Sequence, residues 1–319
     1  MSKLTDIPEG LCGSDKLDWC ITAAISGRLD ILQWARQHGA PWNEHMCSHA
    51  AGNGHIDVLK WARANGAPWN ESTCEFAAYN GHLHILQWAR SHGAPWNKYT
   101  CTVAAGNGHL NILKWARTHG APWDEDTCEY AAKNGHLDTL QWARENGAPW
   151  DCWTCAYTAL NGHLNILQWA KANGAPWDKN VCSFAAMGGH LNILQWARSH
   201  GAPWDERTCR HAATNGHLSV LKWAGAHGAP WDEATCAAAA SHGCIGILRW
   251  AIENGAPWSD KSIKRFEPKI TTKFPRIAVS LLRICRGTPY TNRIARKFII
   301  TMYSLIPLTT PLCDLIINY

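Results

Sequence analysis

Apolar residues along most of this chain fall in two short helical runs separated by glycine, and the pair of runs recurs. Residues 124–150 show the pattern. Cys128, Ala131 and Ala132 share one face of a first helix, while Asp126, Glu129 and Lys133, at i, i+3 and i+7, form a polar stripe on another. After Gly135 the second run places Leu137, Leu140 and Ala143 together, with Asp138, Gln141 and Glu145 as its stripe. This spacing predicts a helix A over Glu125–Asn134 and a helix B over Leu137–Asn146. Asp124 is placed to cap helix A, with Pro122 just outside its start, and Gly147 stands where a left-handed C-terminal cap belongs. Helices apolar over most of their circumference must pack neighbours on two or three sides. One such hairpin cannot bury that surface alone, but a row of hairpins can.

The row is written in the period. Trp-Ala pairs begin at Trp34, Trp61, Trp88, Trp115, Trp142, Trp169, Trp196, Trp223 and Trp250, always 27 residues apart. Gly-Ala-Pro-Trp keeps the same step, ending at Trp42 and eight further tryptophans down to Trp258, as do nine cysteines from Cys20 to Cys236. Recurrence at one fixed step is the mark of a repeat array. The expected organisation is a lead-in over residues 1–15, nine repeats over 16–258, and a different C-terminal segment over 259–319.

Charge follows the same division. Residues 259–319 hold 11 Lys/Arg against 3 Asp/Glu, whereas residues 1–258 hold 19 against 22. A near-neutral body argues against nucleic acid as the partner, because phosphate binding needs a basic face. The start MSKLTDIPEG has no apolar run after its lysine, so no secretory signal is expected. Fourteen cysteines without such a signal fit free thiols in a reducing compartment, and hence the expectation of an intracellular, cytoplasmic protein.

The segment Gly81-His82-Leu83-His84-Ile85-Leu86-Gln87-Trp88-Ala89, running on to Gly93-Ala94, resembles the second half of the ankyrin repeat. Thr73-Cys74-Glu75-Phe76-Ala77-Ala78 resembles its opening, with the usual proline absent. The likeness covers residues 16–258. It implies an all-α, ankyrin-like helical-hairpin solenoid of nine repeats that binds another protein and catalyses nothing. The family period is about 33 residues. Most of the missing residues fall between Trp and Thr, where ankyrin repeats carry a β-hairpin finger, so the fingers are expected to be shortened or absent. Short, Trp-rich repeats of this kind look like those of large DNA viruses and some protists, and a viral origin would place the protein in host cytoplasm.

Several patterns invite chemistry. Each repeat offers one Cys and one His eight residues apart, whereas zinc motifs cluster their ligands two to five apart. Equivalent positions in stacked helix pairs lie about 10 Å apart, too far for a shared metal or a disulfide. The Gly-His histidines, His55 to His217, are therefore read as bonding the turn between helices, with no metal site. Cys152-Trp153-Thr154-Cys155 is read as coincidence, since Cys155 belongs to the buried series. The tryptophans are read as core rather than as a stacking platform. Arg36, Arg63, Arg90, Arg117, Arg144 and Arg198 are expected to cover apolar surface and reach carbonyls at the end of helix B. No catalytic residues and no cofactor are assigned.

Function is expected where the repeats differ. The helix A stripe varies most, and its positions look free of packing constraint. Tyr79, Tyr99, Trp153, Leu160 and Met187 would give an apolar centre, joined by Lys133, Arg207 and Arg210. Exposed Tyr, Trp and Arg dominate binding hot spots. The partner is thus another protein, held by a monomer. A second reading gives the activity to the tail, as a membrane-associated or ubiquitin-ligase-recruiting adaptor. Ser259–Glu267 resembles a lone tenth helix A, Ile277–Ile284 an amphipathic helix, and Phe298–Cys313 an uncharged run shorter than the roughly 20 apolar residues of a span and interrupted by prolines.

Overall fold

The computed structural model describes residues 16–256, so the expectations for the lead-in and for the tail lie outside the described residues. Among the described residues there are eighteen α-helices and no strand. Helix A of the fifth repeat runs Glu125–Lys133 and helix B Leu137–Glu145, one residue shorter at the C-terminus than the sequence predicts. The connection that replaces a finger is Gly147-Ala148-Pro149-Trp150 and the capping residue that follows.

The chain divides into two compact units. The first comprises Met1–Thr158 and Asn165–Pro176, the second Ala159–Leu164 and Trp177–Tyr319. In the first, the hairpins pair Lys16–Ser26 with Leu29–Gln37, Glu44–Gly52 with Ile56–Ala64, Glu71–Tyr79 with Leu83–Ser91, Lys98–Gly106 with Leu110–Thr118, and Glu125–Lys133 with Leu137–Glu145. The second contains Lys179–Gly188 with Leu191–Ser199, Glu206–Thr214 with Leu218–Ala226, and Glu233–Ser241 with Ile245–Glu253. The division passes through the sixth hairpin, Cys152–Leu160 with Leu164–Ala172.

Within each unit, helix A lies against helix A of the next repeat more closely than helix B against helix B. Small side chains cause this. Cys74, Ala77 and Ala78 of one helix A and Cys101, Ala104 and Ala105 of the next are all fully buried. Helix B supplies the larger core residues, such as Ile85, Leu86, Ile112 and Leu113, also fully buried.

The ends of the helices are closed in the expected way. Asn70 Oδ1 accepts from the Ser72 amide (3.1 Å), Asn97 from Tyr99 (2.9 Å) and Asp205 from Arg207 (3.1 Å). Asp124 departs from expectation: it holds the extended backbone of a cap, but its side chain accepts no amide. The ammonium of Lys98, from the preceding repeat, holds its carboxylate instead. At the other end, Gly147 has φ +86°, its amide donates to the Arg144 carbonyl (3.1 Å), and that of Ala148 donates to Ala143 (2.9 Å). This is a Schellman closure. Gly135 closes helix A in the same way, with His136 donating to Ala131 (2.9 Å).

Histidine ties several repeats to the one before. In the first unit, Nε2–H of His55 donates to the Ile25 carbonyl (3.1 Å) and that of His109 to Tyr79 (3.0 Å). In the second, His190 donates to Leu160 (3.0 Å) and His217 to Met187 (3.1 Å). The sequence assigns these rings to an inter-helix turn. The structure places their acceptors in the last turn of helix A of the preceding repeat instead.

The described tryptophans of the two repeating series are only partly buried, whereas Trp19 lies in the core. They flank the core along the helix B edge, in edge-to-face pairs between successive repeats. Trp96 meets Trp115 (centroids 5.9 Å, planes at 66°) and Trp123 meets Trp142 (6.1 Å, 64°). In the second unit Trp204 meets Trp223 (6.1 Å, 65°). Arg90 lies 4.0 Å above the Trp96 ring and donates to the Ala94 carbonyl. That acceptor sits in the loop beyond helix B, not at its last turn as expected. Arginine, tryptophan and loop carbonyl thus seal this edge together.

Candidate functional site

Helix A exposes what helix B covers. In the first unit the stripe residues Tyr79, Tyr99 and Trp153 are 54%, 49% and 39% exposed. Lys133 is half-buried, its ammonium 5.2 Å from the Tyr130 ring centroid and 5.1 Å from that of Tyr157. Tyr157 in turn lies 5.8 Å from Trp153. Of the eight stripe residues, then, Lys133 and Trp153 are joined through Tyr157, and Tyr79 and Tyr99 stand on the preceding helices A.

The sequence reading missed the neighbouring column. Phe76 and Tyr130 are 41% and 39% exposed, and Tyr157 shares their place. Phe76 and Tyr130 directly precede a buried alanine pair, and Tyr157 the buried Thr158 and Ala159, so each reads as core by position. The available signal was the recurrence of an aromatic or histidine ring there, at His49, Phe76, Tyr130, Tyr157, Phe184 and His211.

This column also corrects the idea that the last stripe position is free of packing. Gly52 and Gly106 occupy it in the second and fourth repeats and are buried. A Cβ at Gly52 would lie 3.1 Å from Phe76 Cβ, and one at Gly106 3.1 Å from Tyr130 Cβ. The ring of the next repeat therefore crosses the place where a side chain would stand.

In the second unit Leu160, Met187, Arg207 and Arg210 are all half-buried. Both arginines are engaged within the array: Arg207 Nε pairs with Asp205 (3.0 Å) and Arg210 Nη2 with Asp232 (2.6 Å). Lys179 also meets Asp205 (3.1 Å). Burial pushes the Asp205 carboxyl up, but the hydrogen bonds from Lys179 and Arg207 outweigh it and hold it below its ordinary value.

The middle stripe position meets the cap of the following repeat, and its partner decides its charge state. Glu75 accepts from the Asn97 amide (2.8 Å) and Arg210 pairs with Asp232. Glu129 instead faces Asp151. Burial first, then Asp126 and Asp151, raise its carboxyl from 4.5 to about 7, against the pull of Lys133. An acid raised on folding keeps its proton in the folded state where the unfolded chain has lost it. Stability therefore falls as pH rises from 4.5 through about 7. Glu129→Gln removes this loss. Allowing for solvent screening, it is expected to stabilise the protein by about 1 kcal/mol at pH 8 and by close to nothing at pH 5. Urea titrations at the two pH values measure this, and an equal gain at both would refute the titration of Glu129 as its source.

The cysteines offer no comparable chemistry. The cysteines described are all free thiols. Burial pushes Cys74, Cys101 and Cys128 up to about 12, which keeps them protonated and inert. Cys155 is buried beside the half-buried Cys152. Among the described residues no three His, Cys, Asp or Glu side chains are grouped to hold a metal ion. Nor is any described helix long and apolar enough to cross a membrane.

Comparison with known families decides the kind of array. Residues 45–90, 128–171 and 182–224 match the family model for ankyrin repeats. These three stretches are ankyrin repeats. Ankyrin repeats generally mediate protein–protein interaction. Among solved structures, the crystal structure of the human ASB11 ankyrin repeat domain matches with 17% sequence identity and a TM-score of 0.41, over 49% of this chain and 84% of that one. A search of curated proteins finds no match. In this array the helix A face carries the exposed rings.

Proposed function

We propose that this protein is a non-enzymatic adaptor, monomeric and intracellular, that holds a partner protein on its helix A face. One observation carries the reading. The large hydrophobic side chains exposed among the described residues are Ile25, Phe76, Tyr79, Tyr99, Tyr130 and Trp153, and every one of them lies on a helix A. Rings held on a rigid helix lose little entropy on binding, and such residues dominate interfaces. The helix B edge, by contrast, is closed by its own Arg–Trp stacks.

A lysate pull-down read by mass spectrometry tests this. The bait is the full chain, compared with a Tyr79→Ser, Tyr99→Ser, Trp153→Ser variant whose circular dichroism matches it. A partner retained by the unsubstituted chain and lost by the variant is the expected result. Equal retention by both would overturn the assignment of this face and turn attention to residues 259–319, the seat of the tail-directed alternative. Deleting that segment then shows whether recruitment travels with it.

A further inference from the structure

The helix A reading leaves the chemistry of the partner open, and the first unit narrows it. Across the fourth to sixth repeats the first stripe position runs Tyr99, Asp126, Trp153: a carboxylate with an exposed ring on the repeat to either side. The Tyr130 ring, also exposed, and the half-buried Glu129 lie beside Asp126 on the same helix. The charges facing Glu129 are Asp124, Asp126 and Lys133 from its own repeat and Asp151 from the next, with Lys98 of the preceding repeat bonded to Asp124 and 3.4 Å from Asp126. Carboxylates therefore outnumber cations on this face. Glu129 makes no ion pair, whereas on the second unit Arg210 pairs with the next cap at the same position. An exposed set of rings with an excess of carboxylates among them is complementary to a cation carried on an apolar strip. A cation near these rings gains from their π faces as well as from the carboxylates.

Resting on the helix A reading, we propose that the face from Tyr99 to Trp153 docks a basic, amphipathic segment of a partner protein. An arginine or lysine of that segment sits against Asp126 and Glu129, and its apolar neighbours lie on Tyr99, Tyr130 and Trp153. An acidic or purely apolar segment would cover the half-buried Glu129 without supplying a cation beyond Lys133 and so would be rejected.

The test uses the full chain and two fluorescein-labelled peptides of equal length, one with arginines set between leucines, the other with glutamates in their place. In fluorescence anisotropy the arginine peptide is expected to bind saturably and the glutamate peptide not to bind. An Asp126→Asn, Glu129→Gln variant is expected to bind the arginine peptide about 10-fold more weakly, and Glu145→Gln, on the exposed side of helix B, to bind it unchanged. Affinity should also rise as Glu129 loses its proton around its value of about 7, and Glu129→Gln alone should flatten that rise, which a purely structural role would not do. Equal binding of both peptides, or full binding by the doubly substituted chain, overturns the proposal. If the ring variant loses a lysate partner yet the unsubstituted chain ignores the arginine peptide, the helix A reading stands and the basic-segment proposal alone falls.

Discussion

Gly189→Ala is expected to destabilise the protein by about 3 kcal/mol, whereas Gly201→Ala, in the following loop, should cost only about 1 kcal/mol. The two glycines have almost the same backbone, φ +77° and +81°. A side chain in this left-handed region costs about 1 kcal/mol at either position. Their surroundings separate them. Around Gly201 a Cβ meets nothing within 4 Å, whereas at Gly189 it would lie 2.6 Å from both Nδ1 and Cε1 of His217. The ring must move, and it then gives up its bond to the Met187 carbonyl, worth about 1 kcal/mol, along with its packing. Urea denaturation followed by circular dichroism measures both costs. A double-mutant cycle isolates the ring: in a His217→Ala background the cost of Gly189→Ala should fall to about that of Gly201→Ala, a coupling of roughly 1–2 kcal/mol. Costs that simply add would show that the Gly-His pair does not join successive repeats.

That staple also marks where the sequence ceases to be legible. Everything local to one repeat could be read: both helices to within a residue, the left-handed glycines, the caps and the loss of the finger. Nine copies of the same local preferences reinforce one another. What could not be read crosses from one repeat to the next. His217 reads as bonding an inter-helix turn, but only stacking brings it to the Met187 carbonyl, in the last turn of helix A of the preceding repeat. Trp115 reads as core beside Leu and Ala, because nothing in a single repeat says that the outer side of helix B meets solvent. Asp124 is a sound cap by residue type, and it is the lysine of the previous repeat that draws its side chain away. The same limit governs the candidate face. Tyr99 and Trp153 were found as variable stripe residues. Phe76 and Tyr130 were missed because their exposure depends on a glycine one repeat earlier, Gly52 or Gly106, over which the ring passes. Arg207 and Arg210 read as free cations until the acids beside them are seen, Asp205 at the head of the same helix and Asp232 at the head of the next.

Because the contacts that matter join neighbours, the position of a defect along the array should change the shape of unfolding as well as its midpoint. Leu113 and Leu32 occupy the same place in helix B of the fourth and first repeats, and both are fully buried. Replacing either by alanine removes similar packing, about 3 kcal/mol for a buried leucine. Leu113 has a described repeat on each side, so its loss weakens two interfaces within the first unit. In a nearest-neighbour array this uncouples the segments to either side. Leu113→Ala is therefore expected to broaden the urea transition or split it in two, with a lower apparent m-value. The first repeat has a described neighbour on one side only. Leu32→Ala should thus let that repeat fray while the main transition keeps its midpoint and slope, and hydrogen exchange should speed up only in Lys16–Gln37. A single sharp transition shifted equally by both substitutions would mean that the repeats unfold as one body, and nearest-neighbour coupling would then be the wrong description of what holds them.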